Sequence, residues 1–296
     1  MMKREAVSII GAGPAGIAAA IQLKRSGVVP FVVEKERVGG LLKNAYWVEN
    51  YPGFPGGIAG LHLVSLLERQ LAGHGLEVLF EEVVNVELDG RAFCVETTQR
   101  RWISLIVIVA SGTKPRKISD VTIPSGAEER IFYEIYPLRD VVGKKIAIVG
   151  AGDAAFDYAL NLGRNNDIMI MCRSEKSRCL PLLRERAAQS PRITVLDETI
   201  VRRIVVSGKG LHIECVSREK QTSHHVDFLV FAIGREPQLD FLSETVRKRQ
   251  RELQESGLLY HIGDVHNGPF RQTAIAVGDG IKAAMRIIKS QEERDT

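Results

Sequence analysis

Two short runs of small residues carry the clearest chemistry in this chain of 296 residues. The first is Gly11-Ala12-Gly13-Pro14-Ala15-Gly16, and the second is Gly150-Ala151-Gly152-Asp153-Ala154-Ala155. In a G-x-G-x-x-G or G-x-G-x-x-A run the first glycine allows a tight turn, and the second lets the backbone approach a pyrophosphate. The third small residue lets the following helix lie close to the strand. The helix start then offers N–H groups and the positive end of its dipole to the phosphates.

Such a motif means something only between a strand and a helix, and both runs have that setting. Ala6 to Ile10 reads as a strand, and an Ala-rich helix follows, turning at Gly27. The stretch Lys144 to Val149 precedes the second run, and Gly163 closes its helix. Glu34 stands 23 residues after Gly11, and Arg173 stands 23 residues after Gly150. A carboxylate there accepts hydrogen bonds from both ribose hydroxyls of an adenosine. A guanidinium accepts nothing, but it pairs with a 2′-phosphate, and Arg178 offers a second arm. The first site therefore reads as FAD-type and the second as NADPH-type, with NADH as the alternative.

Composition sets the frame for these elements. With 45% apolar and 26% charged residues the chain reads as globular, long enough for two cores. No apolar run approaches the length of a membrane span, and the first one is too short for a signal peptide, so a cytoplasmic protein is expected. A net charge of +4, spread along the chain, does not argue for nucleic acid. Seven histidines show no zinc spacing, and no metal site is expected; His224-His225 reads as surface or packing. Cys94, Cys172, Cys179 and Cys215 include no C-x-x-C, as in a reduced compartment.

The chain resembles the thioredoxin-reductase-like branch of the flavoproteins with two dinucleotide-binding domains. Beyond the glycine runs, "GGLLKNAYWVENYPGFPGGIAGLHL" is similar to that family's flavin loop, and "LIVIVASGTKPRK" and "DFLVFAIGREP" to its crossing strands. "LYHIGDVHNGPFRQTAIAVGDG" is similar to its second FAD fingerprint. The resemblance implies FAD contacts at Gly11, Gly13, Pro14, Ala15, Gly16, Glu34, Lys35, Gly40, Leu41, Asn50, Val84 and Gly112. It adds Gly263 and Asp264 near the ribityl chain, and Arg271, Gln272 and Thr273 at a helix start aimed at the isoalloxazine. For NADPH it implies Gly150, Gly152, Asp153, Ala154, Ala155, Arg173, Ser174, Arg178, Ile233 and Gly234.

The fold class expected is α/β, with two Rossmann-like dinucleotide-binding domains, three-layered, each with a parallel sheet plus a β-meander. Residues 1–113 and 238–296 form a discontinuous FAD domain, and 114–237 an inserted NAD(P)H domain. The meander is expected from the alternating stretch around Ser207-Gly208, and a hairpin in the first domain turns at Asp89-Gly90. Cys94 and Cys215 alternate with core positions there and read as small buried hydrophobes. The family also implies a homodimer.

One segment departs from the family. Counted back from Gly150, the two positions of the redox dithiol fall on Tyr133 and Tyr136, and no cysteine lies between Cys94 and Cys172. A flavin dithiol relay needs a thiolate to attack and a second thiol to resolve the disulfide, and tyrosine does neither. Tyr133 and Leu138 also resemble the thioredoxin-reductase-type ferredoxin–NADP reductases, whose longer tail beyond the last helix is expected to be missing here. The span 238–264 reads as one charged helix. Its run Arg247, Lys248, Arg249, Arg251 is either a solvated face or a docking patch for an acidic protein.

The expected function is an FAD-dependent NADPH oxidoreductase that passes electrons to ferredoxin, flavodoxin, a quinone or oxygen without a C-x-x-C relay. Tyr133 and Tyr136 are the candidate residues near the chemistry, against a plain packing role. The alternatives are a disulfide reductase using Cys172 or Cys179, and a flavin-bound sensor or scaffold without catalysis.

Overall fold

The structure, a computed structural model, describes residues 4–295. Residues 1–3 and 296, the outermost positions of the expected first domain, lie outside the described residues. The chain divides into two compact units. Unit 1 holds residues 1–43, 48–114 and 237–296, and unit 2 holds 44–47 and 115–236. Among the described residues the helices are α1 (Pro14–Arg25), α2 (Gly60–Gly73), α3 (Asp153–Leu162), α4 (Pro181–Gln189), α5 (Glu244–Lys248), α6 (Gln250–Glu255) and α7 (Thr273–Asp295). No helix among them is long and apolar enough to cross a membrane.

In unit 1, β1 (Arg4–Ile10) is the centre of the sheet, paired in parallel with β2 (Phe31–Glu34) and with the strand Arg101–Val109. Val78–Phe80 continues the parallel order beyond β2, and Leu259–His261 also pairs in parallel with Arg101–Val109. The hairpin Val83–Asp89 and Ala92–Thr97 extends the sheet in antiparallel order around the Asp89-Gly90 turn. Near-continuous apolar runs such as Val7 to Ile10 are what a parallel strand covered on both faces requires. Fully buried Trp102 packs edge-on against Phe31, and its indole N–H donates to Ser8 Oγ at 2.9 Å. That bond satisfies the one polar atom the ring brings into the core.

Unit 2 has a parallel sheet ordered Ile131–Phe132, Phe228–Phe231, Lys145–Val149, Asp167–Met171 and Ile193–Leu196. A separate antiparallel meander, Thr199–Ser207, Gly210–Ser217 and Lys220–Val226, packs Ile204, Leu211 and Ile213 against Phe231 and Met171. Cys215 lies buried in that layer, its sulfur 4.0 Å from Met171 Sδ.

The span expected to be one charged helix is two. Arg249 leaves the helical region (φ −97°, ψ 8°), closing α5 and capping the start of α6. Ser243 Oγ accepts from Val246 N at 3.2 Å and starts α5. Arg247 turns inward to the carbonyls of Leu239, Asp240 and Leu242. Lys248 pairs with Glu244, Arg249 with Glu252 and Arg251 with Glu255, so this basic run is neutralised by its own helices.

Candidate functional site

Unit 1 builds an open cradle where the first glycine run leaves β1. Gly11 has φ of +106°, and a Cβ there would lie 2.4 Å from the Ala110 carbonyl oxygen, so the turn admits only glycine. A Cβ on Gly16 would fall 1.9 Å from the Gly11 oxygen, which measures how closely α1 approaches the turn. At Gly13, the cap of α1, a Cβ would meet only Gly40 Cα at 3.9 Å. The space over Gly13 is thus open, beside first-turn N–H groups that have no partner within the helix. Pro14 fills the first helical position, where a missing N–H costs nothing.

The flanking residues draw around that space. Glu34 Oε2 accepts from Ala12 N at 2.8 Å and Oε1 from Glu36 N at 3.1 Å, so the carboxylate steadies the glycine loop. Lys35 is exposed beside Glu36. Gly39 N donates to Ala12 O at 2.8 Å, which brings Gly40 over Gly13, with Leu41 in the short 3-10 turn that follows. Asn50 Nδ2 donates to Gln272 Oε1 at 2.7 Å, joining the early part of the chain to the start of α7 at Thr273, two residues after Arg271. Gly112 has φ of +64°, and its carbonyl accepts from Gln238 N. Val84 is exposed, and comes four residues after Phe80, the strand partner of Glu34.

Asp279 and Gly280 on α7 escaped the sequence reading. Asp279 Oδ2 accepts from Gly263 N at 3.1 Å and from Asn267 Nδ2 at 2.6 Å, fastening the loop that carries Asp264. A Cβ on Gly280 would lie 2.2 Å from the Ala15 oxygen, so glycine lets α7 cross α1 at close range. A glycine inside a helical pattern was the available signal.

Unit 2 repeats the device. A Cβ on Gly150 would lie 2.5 Å from the Ala232 oxygen, and one on Gly152, the cap of α3, would meet nothing within 4 Å. Ala155 takes the third position, and Ala154 beside it is exposed. The loop that follows strand Asp167–Met171 is tied to this turn twice. Arg178 N donates to Ala151 O at 2.7 Å, and Leu180 N to Asp153 Oδ1 at 2.7 Å. Arg173, Ser174 and Arg178 are exposed on that loop, and among the described residues neither guanidinium is in an ion pair. Gly234, after Ile233, has φ of +111°, and its carbonyl accepts from Arg116 N.

The Tyr133–Tyr136 segment also belongs to unit 2. The Tyr133 ring lies 5.6 Å from that of Phe231, with the Lys117 ammonium 3.9 Å above it, and its oxygen accepts from Ile118 N. Ile135 is buried, and Arg139 covers the Tyr136 ring at 4.4 Å. The nearest cysteines in sequence are elsewhere. Cys172 is fully buried, its thiol directed at Gly150 O and pushed up to about 11 by burial. Cys179 packs half-buried against the same cluster. Burial likewise raises Cys215 to about 11, and raises Cys94. All four cysteines are free. Among the described residues no cluster of three metal-ligating side chains forms.

Comparison with known proteins bears on the whole chain. The family described as "Pyridine nucleotide-disulphide oxidoreductase" matches residues 5–280. A thioredoxin reductase of Streptomyces coelicolor is 31% identical, over 94% of this chain and 91% of the relative. The crystal structure of Lactococcus lactis thioredoxin reductase (FR conformation) matches with a TM-score of 0.84 at 27% identity, covering 96% of this chain and 98% of that one. The structure of T. acidophilum thioredoxin reductase matches with a TM-score of 0.85 at 25% identity, covering 98% and 99%.

Proposed function

The chain belongs to the pyridine nucleotide-disulphide oxidoreductase family, and from that footing we propose that it passes electrons from NADPH to an external acceptor without a cysteine relay of its own. It is a thioredoxin-reductase-like oxidoreductase that depends on FAD and NAD(P)H. FAD supplies, when bound, the capacity to take hydride from a reduced nicotinamide and release electrons onward. In unit 1 the open space over Gly13 fits a pyrophosphate, held by Gly11 to Gly16, Gly40 and the start of α1. Asn50, Asp264 and Arg271 to Thr273 would hold the rest. In unit 2 Gly150 to Ala155 would take the second pyrophosphate, and the exposed Arg173 and Arg178 a 2′-phosphate.

The observation that carries the reading is Tyr133-Glu134-Ile135-Tyr136 at the position the family gives to its dithiol. The cysteines support it too, because Cys172 and Cys215 are buried thiols with raised pKa, the inert kind. The paired basic run on α5 and α6 lends no weight to an acidic protein docking there. The acceptor itself stays within the set of ferredoxin, flavodoxin, quinone and oxygen.

The test is anaerobic mixing of the holoenzyme with NADPH, followed by thiol titration and an acceptor screen. Flavin bleaching with no new thiols, and turnover with one of those four acceptors, is expected. Two additional thiols after reduction, or turnover with thioredoxin alone, would overturn the proposal.

A further inference from the structure

A carboxylate stands inside the second glycine run, where a diphosphate would bring negative charge of its own. Asp153 opens α3 directly after Gly152, the cap of that helix. A negative side chain there suits the positive end of the helix dipole but repels a bound phosphate. Its oxygen is engaged elsewhere in unit 2, because Asp153 Oδ1 accepts from Leu180 N at 2.7 Å. Leu180 is the cap of α4, whose first residue is Pro181.

That bond is the last of three fastenings on consecutive residues. Arg178 N donates to Ala151 O at 2.7 Å, and the Cys179 side chain packs half-buried against the cluster that holds Phe156 and Ile170. Leu180 N then goes to Asp153. At its other end the loop leaves its strand at Cys172, whose N–H donates to Leu196 O at 2.8 Å. Within the loop Ser174 Oγ donates to Lys176 O at 2.9 Å. Arg173 and Arg178 are therefore carried on a segment tied down on both sides, with their side chains exposed. Of the three fastenings around Arg178, the bond to Asp153 is the one made by a polar side chain.

We propose that Asp153 is a positioning residue for nucleotide specificity: it holds the segment from Arg178 to Leu180 against the start of α3, and so sets the arginine loop in place for a 2′-phosphate before the nucleotide arrives. This rests on unit 2 being an NADPH site. A loop ordered in advance loses little freedom on binding, so more of the charge-assisted bonding appears as affinity. The backbone N–H groups at the start of α3 do not depend on the bond, since Asp153 acts through its side chain. Losing it therefore weakens a nucleotide that carries a 2′-phosphate and spares one that does not. The negative charge acts on every phosphate, and Ala and Asn remove it alike. Only Asn keeps an acceptor oxygen for Leu180 N.

The experiment titrates 2′,5′-ADP and 5′-AMP by calorimetry into the flavin-loaded full chain, as wild type, Asp153→Ala and Asp153→Asn. It is joined to amide hydrogen exchange of peptides covering 177–183. Wild type is expected to bind 2′,5′-ADP more tightly than 5′-AMP. Asp153→Ala should bind 2′,5′-ADP roughly fivefold more weakly than Asp153→Asn does, the effect of one hydrogen bond, while the two variants bind 5′-AMP within about twofold of each other. Protection at 177–183 should fall in Asp153→Ala and stay in Asp153→Asn. Equal affinity of the two variants for 2′,5′-ADP, or an equal difference between them for both nucleotides, overturns the proposal. A wild type with no preference for 2′,5′-ADP, while the exchange pattern holds, sinks the NADPH reading and the specificity role with it.

Discussion

The glycines of the first loop divide into one that the fold needs and one that the ligand needs, and substitution by alanine separates them. At Gly16 the added methyl would begin 1.9 Å from the Gly11 oxygen. Side-chain carbons essentially never come closer than 3.0 Å to such an atom, so α1 must retreat by at least the difference. It has little room to do so, because Gly280 already brings α7 against the Ala15 oxygen. Overpacking of this kind costs about 1–3 kcal/mol, and the rigid partners on both sides place Gly16→Ala at the upper end. For a unit of this size about 3 kcal/mol lowers Tm by roughly 6–12 °C.

Gly13 is the contrasting case. Its φ of −75° and ψ of −178° are extended backbone open to any residue, and the methyl would meet only Gly40 Cα at 3.9 Å. Gly13→Ala should therefore leave the Tm of the flavin-free protein within about 1–2 °C of wild type, since surface changes away from special features stay near ±0.5 kcal/mol. It should nevertheless lose FAD, because the methyl fills the space a pyrophosphate needs. The assay is calorimetry of flavin-stripped protein beside absorbance-based FAD content for both variants. If Gly13→Ala lowered the flavin-free Tm as far as Gly16→Ala, or if Gly16→Ala kept the wild-type Tm, the division would be refuted.

Other outcomes follow from the same geometry. Replacing Arg173 or Arg178 with Ala should raise KM for NADPH roughly 10- to 100-fold and leave NADH unchanged, since each removes about 1.5–3 kcal/mol of charge-assisted bonding to a 2′-phosphate; steady-state kinetics with both nucleotides decides it. Asp157, lifted to about 6 from an ordinary value near 4, contributes stability that is full below about pH 4 and lost as pH rises through 6. Wild type should thus lose up to about 3 kcal/mol against Asp157→Asn between pH 4 and 7, read from denaturant melts. Burial lowers the His261 ring to about 4, so its carbon-bound proton shifts in NMR should stay those of a neutral imidazole down to pH 5. Cys172 and Cys215 should resist a thiol reagent in the folded protein at pH 7.5 and react once it is unfolded.

What could be read from sequence was what one residue type decides locally. Gly11, Gly16 and Gly150 could be recognised because no side chain fits their turns, and that requirement shows in the string of letters. The meander and hairpin could be read from alternation, because each strand has a buried and an open face. The break between α5 and α6 could not, since Arg249 carries no breaker chemistry and the charges on both sides pair at helical spacing. Asp157 was hidden for another reason. The core of α3 is made by Ala155, Phe156, Tyr158, Ala159 and Leu162, and Asp157 points roughly 200° away from Ala155. Periodicity assigns such a position to water. It is covered only because Tyr46 and Trp47, more than a hundred residues earlier, donate to it.

That long-range cover bears on which chemistry the second unit is equipped for. Moving a disulfide reaction to Cys172 would require its thiolate, and with a thiol at about 11 only about 3 in 10,000 molecules carry one at pH 7.5. The Arg184 guanidinium favours the thiolate, but burial outweighs it. Exposing Cys172 would mean opening the strand end that also carries the two arginines and the bond from Arg178 N to Ala151 O. A relay at that place would have to break that bond each time it worked. At positions 133–136, by contrast, the backbone N–H groups of Ile135 and Tyr136 donate to Asn44 Oδ1, the Asn44 amide donates to Glu134, and no sulfur lies on that path. The two observations argue in the same direction, since positions 133–136 carry no thiol and the place with a thiol lacks the freedom to use it.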